Sequence, residues 1–239
     1  MLARVRSATL IGVEAVPLSV ECDIARGLPG IHTVGLPDAA VRESSERVRA
    51  ALRNSGFEVP PRRITISLAP ADLRKEGAAL DLPIALGILA ASGSLPAGRL
   101  PDLLVLGELA LDGRVRAVRG GLPAALLARR IGVPGMILPQ ANCDEALAIP
   151  GPAVHAVGSL AEAALVLKGE GSARGAPRPP FEPSAAAGGP DLREVRGQLL
   201  VRRALEVAAA GAHHLLMIGP PGCGKTMLAR RLVGILPPS

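Results

Sequence analysis

One stretch of this chain is poorly suited to forming a packed core. Of the 22 residues from 169 to 190, 17 are Gly, Pro, Ala or Ser, and Phe181 is the only bulky apolar one. Such a segment buries too little apolar surface to offset the entropy lost on ordering, so we predict a flexible linker. The 239 residues are therefore expected to fold in two parts, a domain of residues 1–168 and a shorter part of residues 191–239.

The amino-acid composition limits the classes of function. The chain is 49% hydrophobic but has no Trp, no Tyr and two Phe, so no aromatic platform for stacking bases is expected. Its net charge of +6 suits anionic partners. No membrane span, secretory signal or disulfide framework is predicted, because the apolar runs are short and the three cysteines are far apart. We predict a reduced, cytoplasmic protein without a membrane partner.

The first part alternates between strand-like and helix-like patterns. Hydrophobic periodicity predicts strands at 16–24, 31–35, 63–69, 103–111, 114–118, around 136–138 and before the last helix. Helices are predicted at 38–54 with Asp38 as N-cap, at 82–92, at 122–130, around Asp144 and up to Lys168. Asp112-Gly113 is a hairpin signal between two of the strands. The mixture indicates an α/β or α+β layer fold.

The predicted helix at 38–54 has one apolar and one charged face. The charged face carries two pairs at i,i+4 spacing, Arg42 with Glu46 and Glu43 with Arg47, followed by Arg49 and Arg53. We interpret this face as a solvated surface rather than as a nucleic-acid stripe.

The shorter part carries the most specific motif. A predicted strand at 214–218 and a predicted helix at 225–233 flank G-P-P-G-C-G-K-T, which matches the P-loop pattern G-x-x-x-x-G-K-[ST]. Its residues, all candidate ATP contacts, are Gly219, Pro220, Pro221, Gly222, Cys223, Gly224, Lys225 and Thr226. The glycines let backbone N–H groups converge on a phosphate, Lys225 would reach the β- and γ-phosphates, and the Thr226 hydroxyl would ligate Mg²⁺.

ATP hydrolysis needs more than this loop. A second acidic strand, a residue that orients water and usually an arginine finger are also required. Since the sequence ends 13 residues after Thr226, we expect a truncated chain that binds ATP without hydrolysing it.

Three stretches resemble a known family. They are G-L-P-D-A-A-V-R-E-S at 35–44, R-R-I-T-I-S-L-A-P-A-D-L-R-K-E-G-A-A-L-D-L-P at 62–83, and the segment from Asp191 through V-R-G-Q at 195–198 to the P-loop. On these stretches the whole chain is similar to the N-terminal part of the ComM/YifB family of magnesium-chelatase-like AAA+ ATPases. The resemblance implies a Lon-protease-like N-terminal domain followed by the first βα unit of an AAA+ domain. It also implies homohexamers that use ATP and Mg²⁺ to promote DNA branch migration, as a helicase, in natural transformation and recombination.

The Lon likeness bears on peptidase activity. Lon-type enzymes resemble this chain at K-x-G-x-S and G-G-[LIV]-K, where it has Lys75-Glu76-Gly77-Ala78-Ala79 and Gly120-Gly121-Leu122-Pro123. Alanine replaces the nucleophilic serine and proline replaces the lysine base, so a protease-like fold without peptidase activity is expected. The acidic residues Asp72, Glu76 and Asp81 are interpreted as loop and helix-start carboxylates rather than as a general-acid pair.

Two other functions stay open. The chain could belong to a magnesium chelatase that couples ATP hydrolysis to metal insertion into a tetrapyrrole, or it could be a non-enzymatic Lon-like scaffold.

Overall fold

A computed structural model of the chain describes residues 2–35, 39–71, 73, 77–171 and 190–236. These residues form two compact units, the first within residues 1–180 and the second within residues 181–239. The predicted N-cap Asp38 and most of the predicted linker lie outside the described residues.

The described part of the first unit contains nine strands. They are β1 Leu2–Ile11, β2 Glu14–Ala25, β3 Gly30–Val34, β4 Arg63–Ala69, β5 Leu103–Val105, β6 Glu108–Leu109, β7 Val115–Arg116, β8 Gly135–Pro139 and β9 Ala153–Val157. Seven of them form one sheet in the order β3-β4-β2-β1-β5-β8-β9. β2 is antiparallel to β1 and β4, and the other four pairings are parallel. The predicted α/β class is confirmed.

β1 was missed in the sequence analysis, although it lies near the middle of the sheet. It pairs along its whole length with β2 through a turn at Gly12, whose φ of 61° suits glycine. The signal that could have found it is the alternation over its first half, where Ala3, Val5 and Ser7 are buried while Leu2, Arg4 and Arg6 are exposed.

The predicted strand at 103–111 is divided in two. β5 joins the main sheet, whereas β6 pairs with β7 around the predicted Asp112-Gly113 turn. Between them, the Gly107 N–H donates to the carbonyl of Ala79, and the Gly107 carbonyl accepts from Leu82 N–H, at 2.9 and 3.0 Å. These two bonds take the chain out of the sheet ladder, which is why one long strand does not form.

Five α-helices in the described part of the first unit flank the sheet. They are α1 Ala39–Asn54, α2 Asp81–Ser92, α3 Gly121–Arg130, α4 Cys143–Leu147 and α5 Leu160–Lys168. Neighbouring residues of β5 alternate between two apolar clusters, Leu103 and Val105 in one and Leu104 in the other. Because successive strand residues point to opposite faces, helices cover both faces of the sheet. α2 is the most enclosed helix, with every residue from Leu82 to Ala91 buried.

The second unit has two helices in its described part, α6 Leu199–Gly211 and α7 Lys225–Leu232. Its core consists of Leu192, Val195, Leu205 and Leu228. The predicted strand at 214–218 is wrong for this structure, which assigns no strand there and leaves Ile218 88% exposed. A strand needs a neighbour to pair with, and the described residues of this unit supply none. Throughout the described residues, no helix has the length and apolar character needed to cross a membrane.

Candidate nucleotide-binding site

The predicted P-loop residues lie together between the end of α6 and the start of α7. Gly222 and Gly224 have φ angles of 84° and 87°, in the left-handed region that favours glycine. The carbonyl of Gly224 accepts the N–H of Leu228 at 2.9 Å and so starts the hydrogen-bond ladder of α7. The loop therefore leads directly into a helix N-terminus, whose partial positive charge favours anions.

Lys225 folds back over this loop. Its Nζ donates to the carbonyl oxygens of Gly219 at 2.6 Å and Pro220 at 2.8 Å. The ammonium thus lies at the concave side of the glycine loop, held by two neutral acceptors. A phosphate oxygen, which is charged, is a stronger acceptor for the same group. Thr226 follows in the first turn of α7 and is exposed.

Two further residues of the loop are restrained by packing. The carbonyl of Cys223 accepts a hydrogen bond from Gln198 Nε2 at 3.2 Å, and its Sγ lies 3.5 Å from Lys225 Nζ. A Cβ at position 219 would be 2.9 Å from that sulfur, so a larger residue there would force the Cys223 side chain to shift. Sequence reasoning missed Gln198 as a loop contact, because its side chain reaches 25 positions along the chain.

The last turn of α7 is fixed by Arg231, which sequence reasoning also missed. Its guanidinium donates to the Asp191 carbonyl at 3.0 Å and pairs with the Glu194 carboxylate at 2.9 Å. These bonds attach α7 to the segment that begins the second unit.

A separate cleft of about 720 Å³ lies in the first unit. It brings together the two motifs compared with Lon-type enzymes, since its wall includes Ala78 and Ala79 on one side and Gly120 on the other. The polar side chains in its wall are Thr9, Glu108 and Arg119. Pro123 does not line this cleft, and Lys75, Glu76 and Asp72 lie outside the described residues.

Asp81 does not line the cleft either. Its buried carboxylate accepts from Arg47 Nε at 2.9 Å, from Ser44 Oγ at 2.5 Å and from the backbone N–H of Leu109 at 3.3 Å. Burial raises the pKa of Asp81, against the lowering effect of the bonds from Arg47 and Ser44. The interpretation of Asp81 as a helix-start residue is correct in position, since it begins α2, but its side chain joins α1 to α2. Arg47 thereby forms an ion pair with Asp81, a contact that the sequence analysis did not predict.

Comparison with known proteins identifies the class. The family model described as "Subunit ChlI of Mg-chelatase" matches residues 20–142, and the model described as "Magnesium chelatase, subunit ChlI" matches residues 191–239. The second match contains the P-loop and the segment that Arg231 contacts.

Curated relatives extend the similarity over nearly the whole chain. An uncharacterized protein of Mycobacterium tuberculosis is 48% identical over 237 residues, 99% of this chain and 46% of the relative. YifB of Escherichia coli is 45% identical over 236 residues, with the same coverage of both chains. Competence protein ComM of Haemophilus influenzae is 43% identical over 239 residues, 99% of this chain and 47% of the relative.

The chain belongs to the magnesium-chelatase-like family of ComM and YifB. It spans about half the length of the curated relatives it matches.

Proposed function

We propose that this chain is the ATP-binding part of a magnesium-chelatase-like AAA+ ATPase of the ComM type, which acts on DNA. The observation that carries the proposal is the position of the Lys225 ammonium over the glycine loop, at the N-terminus of α7. The name of the relative ComM, a competence protein, supports a role with DNA. Branch migration, cytoplasmic location and assembly into homohexamers belong to the same proposal for the whole protein.

The chemistry follows from the loop. MgATP would bring the phosphate oxygens that replace the carbonyls of Gly219 and Pro220 as acceptors for Lys225. Backbone N–H groups of the loop and the start of α7 would add further donors. Thr226 is exposed in the first turn of α7, and its hydroxyl would ligate Mg²⁺. In this proposal the 239 residues bind the nucleotide, and hydrolysis requires an acidic strand and an arginine finger beyond them.

Replacing Lys225 tests the nucleotide site. Lys225→Ala removes the charged donor, and we expect the affinity for a fluorescent ATP analogue with Mg²⁺ to fall by about tenfold to a hundredfold. Lys168→Ala is the matched control, since it removes the same side chain from the end of α5 in the other unit. Unchanged ATP affinity in Lys225→Ala would contradict the proposal and favour the non-enzymatic scaffold.

The first unit is proposed to be a Lon-like domain, spanning residues 1–168, without peptidase activity. The cleft lined by Ala79 and Gly120 supports this. Residues of both motifs that resemble the Lon-type catalytic motifs lie in its wall, and the wall contains no serine or lysine. Peptide hydrolysis by the purified protein that a serine-reactive reagent abolishes would be evidence against it.

A chelatase subunit is the second candidate, since both matching family models are described by magnesium chelatase. The ligand of the full-length protein separates the two functions. DNA-stimulated ATP hydrolysis supports the ComM type, whereas ATP-dependent metal insertion into a tetrapyrrole supports the chelatase.

A further inference from the structure

A small pocket in the first unit is lined by three arginines. Its volume is about 210 Å³, and it shares no wall residue with the cleft near Ala79. Arg49 and Arg53 reach it from α1, and Arg62 reaches it from the segment just before β4. The remaining wall is glycine, proline and aliphatic residues, and no acidic side chain of the described residues lines it.

No acidic side chain of the described residues neutralises the positive charges of this pocket. None of the three arginines forms an ion pair within the described residues. Arg49 is partly buried, and its Nε is enclosed without a hydrogen-bond partner. Arg53 lies one helical turn further on, where like charges at i,i+4 repel. A partly desolvated cation next to a second cation is unfavourable unless an anion compensates the charge.

Arg47 on the same helix shows the contrast. Its guanidinium is neutralised inside the protein by Asp81, at 2.9 Å. The charged face that we interpreted as a solvated surface is therefore divided. Arg47 joins α1 to α2, whereas Arg49 and Arg53 have no acidic partner among the residues that the structure describes.

The wall of the pocket is rigid. The consecutive Pro60 and Pro61 fix the backbone φ angles before Arg62. The Arg62 N–H donates to the Pro60 carbonyl at 2.8 Å, and the Arg62 carbonyl accepts from Gly30 N–H at 3.3 Å. Ile31 in the same wall packs against the main core. The backbone of this wall is thus preorganised, so little backbone entropy would be lost when a ligand binds.

We propose that this pocket binds a backbone phosphate of a nucleic-acid strand. A phosphate offers oxygen acceptors that match the guanidinium fork, and its charge compensates the arginines. No aromatic ring lines the pocket, so contact with the phosphate backbone is favoured over base stacking. The proposal rests on the proposed action on DNA and adds a contact site for it outside the nucleotide-binding unit.

The test compares two triple variants of the whole chain. Arg49→Gln/Arg53→Gln/Arg62→Gln removes the pocket charges. The control Arg6→Gln/Arg119→Gln/Arg129→Gln removes three exposed arginines that form no ion pair within the described residues, with the same loss of net charge. Binding to fluorescein-labelled single-stranded and duplex DNA is measured by anisotropy over a range of KCl concentrations, and circular dichroism checks that each variant is folded.

We expect the pocket variant to lose about tenfold in affinity at low salt, and its plot of log affinity against log salt to become shallower by about one. The control should keep the wild-type slope. An equal loss of DNA affinity in both variants would overturn the proposal that the pocket binds DNA and would leave the proposed DNA action intact. A wild type that binds no DNA at low salt would count against both proposals.

Inorganic phosphate is the second probe. If it protects the wild type but not the pocket variant against heat, while DNA affinity is equal in both, the ligand is free phosphate and the nucleic-acid proposal fails.

Discussion

At the scale of single residues, Cys22 and Gly87 show how closely the core is packed. The Cys22 side chain on β2 is fully buried, and a Cβ at position 87 of α2 would be 2.6 Å from its sulfur. Burial raises the pKa of the Cys22 thiol to about 12, so the sulfur stays protonated and contributes packing rather than reactivity. Position 87 must therefore remain glycine while cysteine occupies position 22.

We predict that Gly87→Ala destabilises the protein by about 1–3 kcal/mol, because overpacking outweighs the higher helix propensity of alanine. Cys22→Ala removes the clashing sulfur, so the double variant should be more stable than the sum of the two single changes predicts. Urea unfolding followed by circular dichroism measures this, since the chain has no Trp or Tyr for fluorescence.

The control for this comparison of single and double variants is Gly98→Ala, where an added Cβ meets no atom within 4 Å. It should change the free energy of unfolding by no more than about 0.5 kcal/mol. Strict additivity of Gly87→Ala and Cys22→Ala would show that the predicted clash is absent.

At the scale of elements, the ion pair between Arg47 and Asp81 joins three of them. It links α1 to the first residue of α2, and the carboxylate oxygen that accepts from Arg47 Nε also accepts the N–H of Leu109 in β6. The hydrogen bond with Asp81 raises the pKa of Arg47, which keeps the guanidinium charged. Because the carboxylate is buried and the guanidinium is not fully so, loss of the arginine is the more damaging change.

We predict that Arg47→Ala costs about 3–5 kcal/mol near neutral pH, because it leaves a buried carboxylate without its cation. The pKa of Asp81 would rise further above its unfolded value. Between the unfolded and folded pKa values the folded state holds more protons, so its stability falls as the pH rises through that window. Urea unfolding at two pH values should therefore show a smaller loss in mild acid than at neutral pH.

Arg53→Ala, on the exposed side of the same helix, is the comparison for Arg47→Ala and should be nearly neutral for stability. A loss for Arg47→Ala that is the same at both pH values would show that Asp81 does not titrate in the variant.

Elements differ in how well the sequence predicts them. α2 was predicted to within one residue, because its apolar run and turn signals are local. The strand at 214–218 was predicted on the same kind of signal and is absent, because strand formation depends on a neighbour elsewhere in the chain. β1 was missed for the converse reason, as its central place comes from pairing with β2 and β5.

At the scale of the whole molecule, the chain separates into two compact units, with the boundary near residue 180. From its composition we propose that 169–190 acts as a flexible linker between them. Within that stretch Arg174 is the residue after which trypsin can cut, since Arg178 precedes a proline.

We predict that limited trypsin digestion first cleaves after Arg174, because an unstructured backbone fits a protease site more readily than a folded one. Mass spectrometry should find the fragments 1–174 and 175–239, and the substitution Arg174→Gln should delay the appearance of both fragments. First cuts within residues 1–168 would place the flexible segment elsewhere.

The P-loop pattern, the α/β class and most helices can be read from the sequence alone, because each depends on residue types at fixed local spacings. Three contacts become visible only in the folded chain: Asp81 is buried against Arg47, Ala79 and Gly120 share a cleft, and Arg49 and Arg62 share a pocket. These pairs are separated by 13 to 41 positions, and no local periodicity specifies them. These contacts follow from how the helices pack on the sheet. That packing is driven by the burial of apolar side chains that are far apart in the sequence.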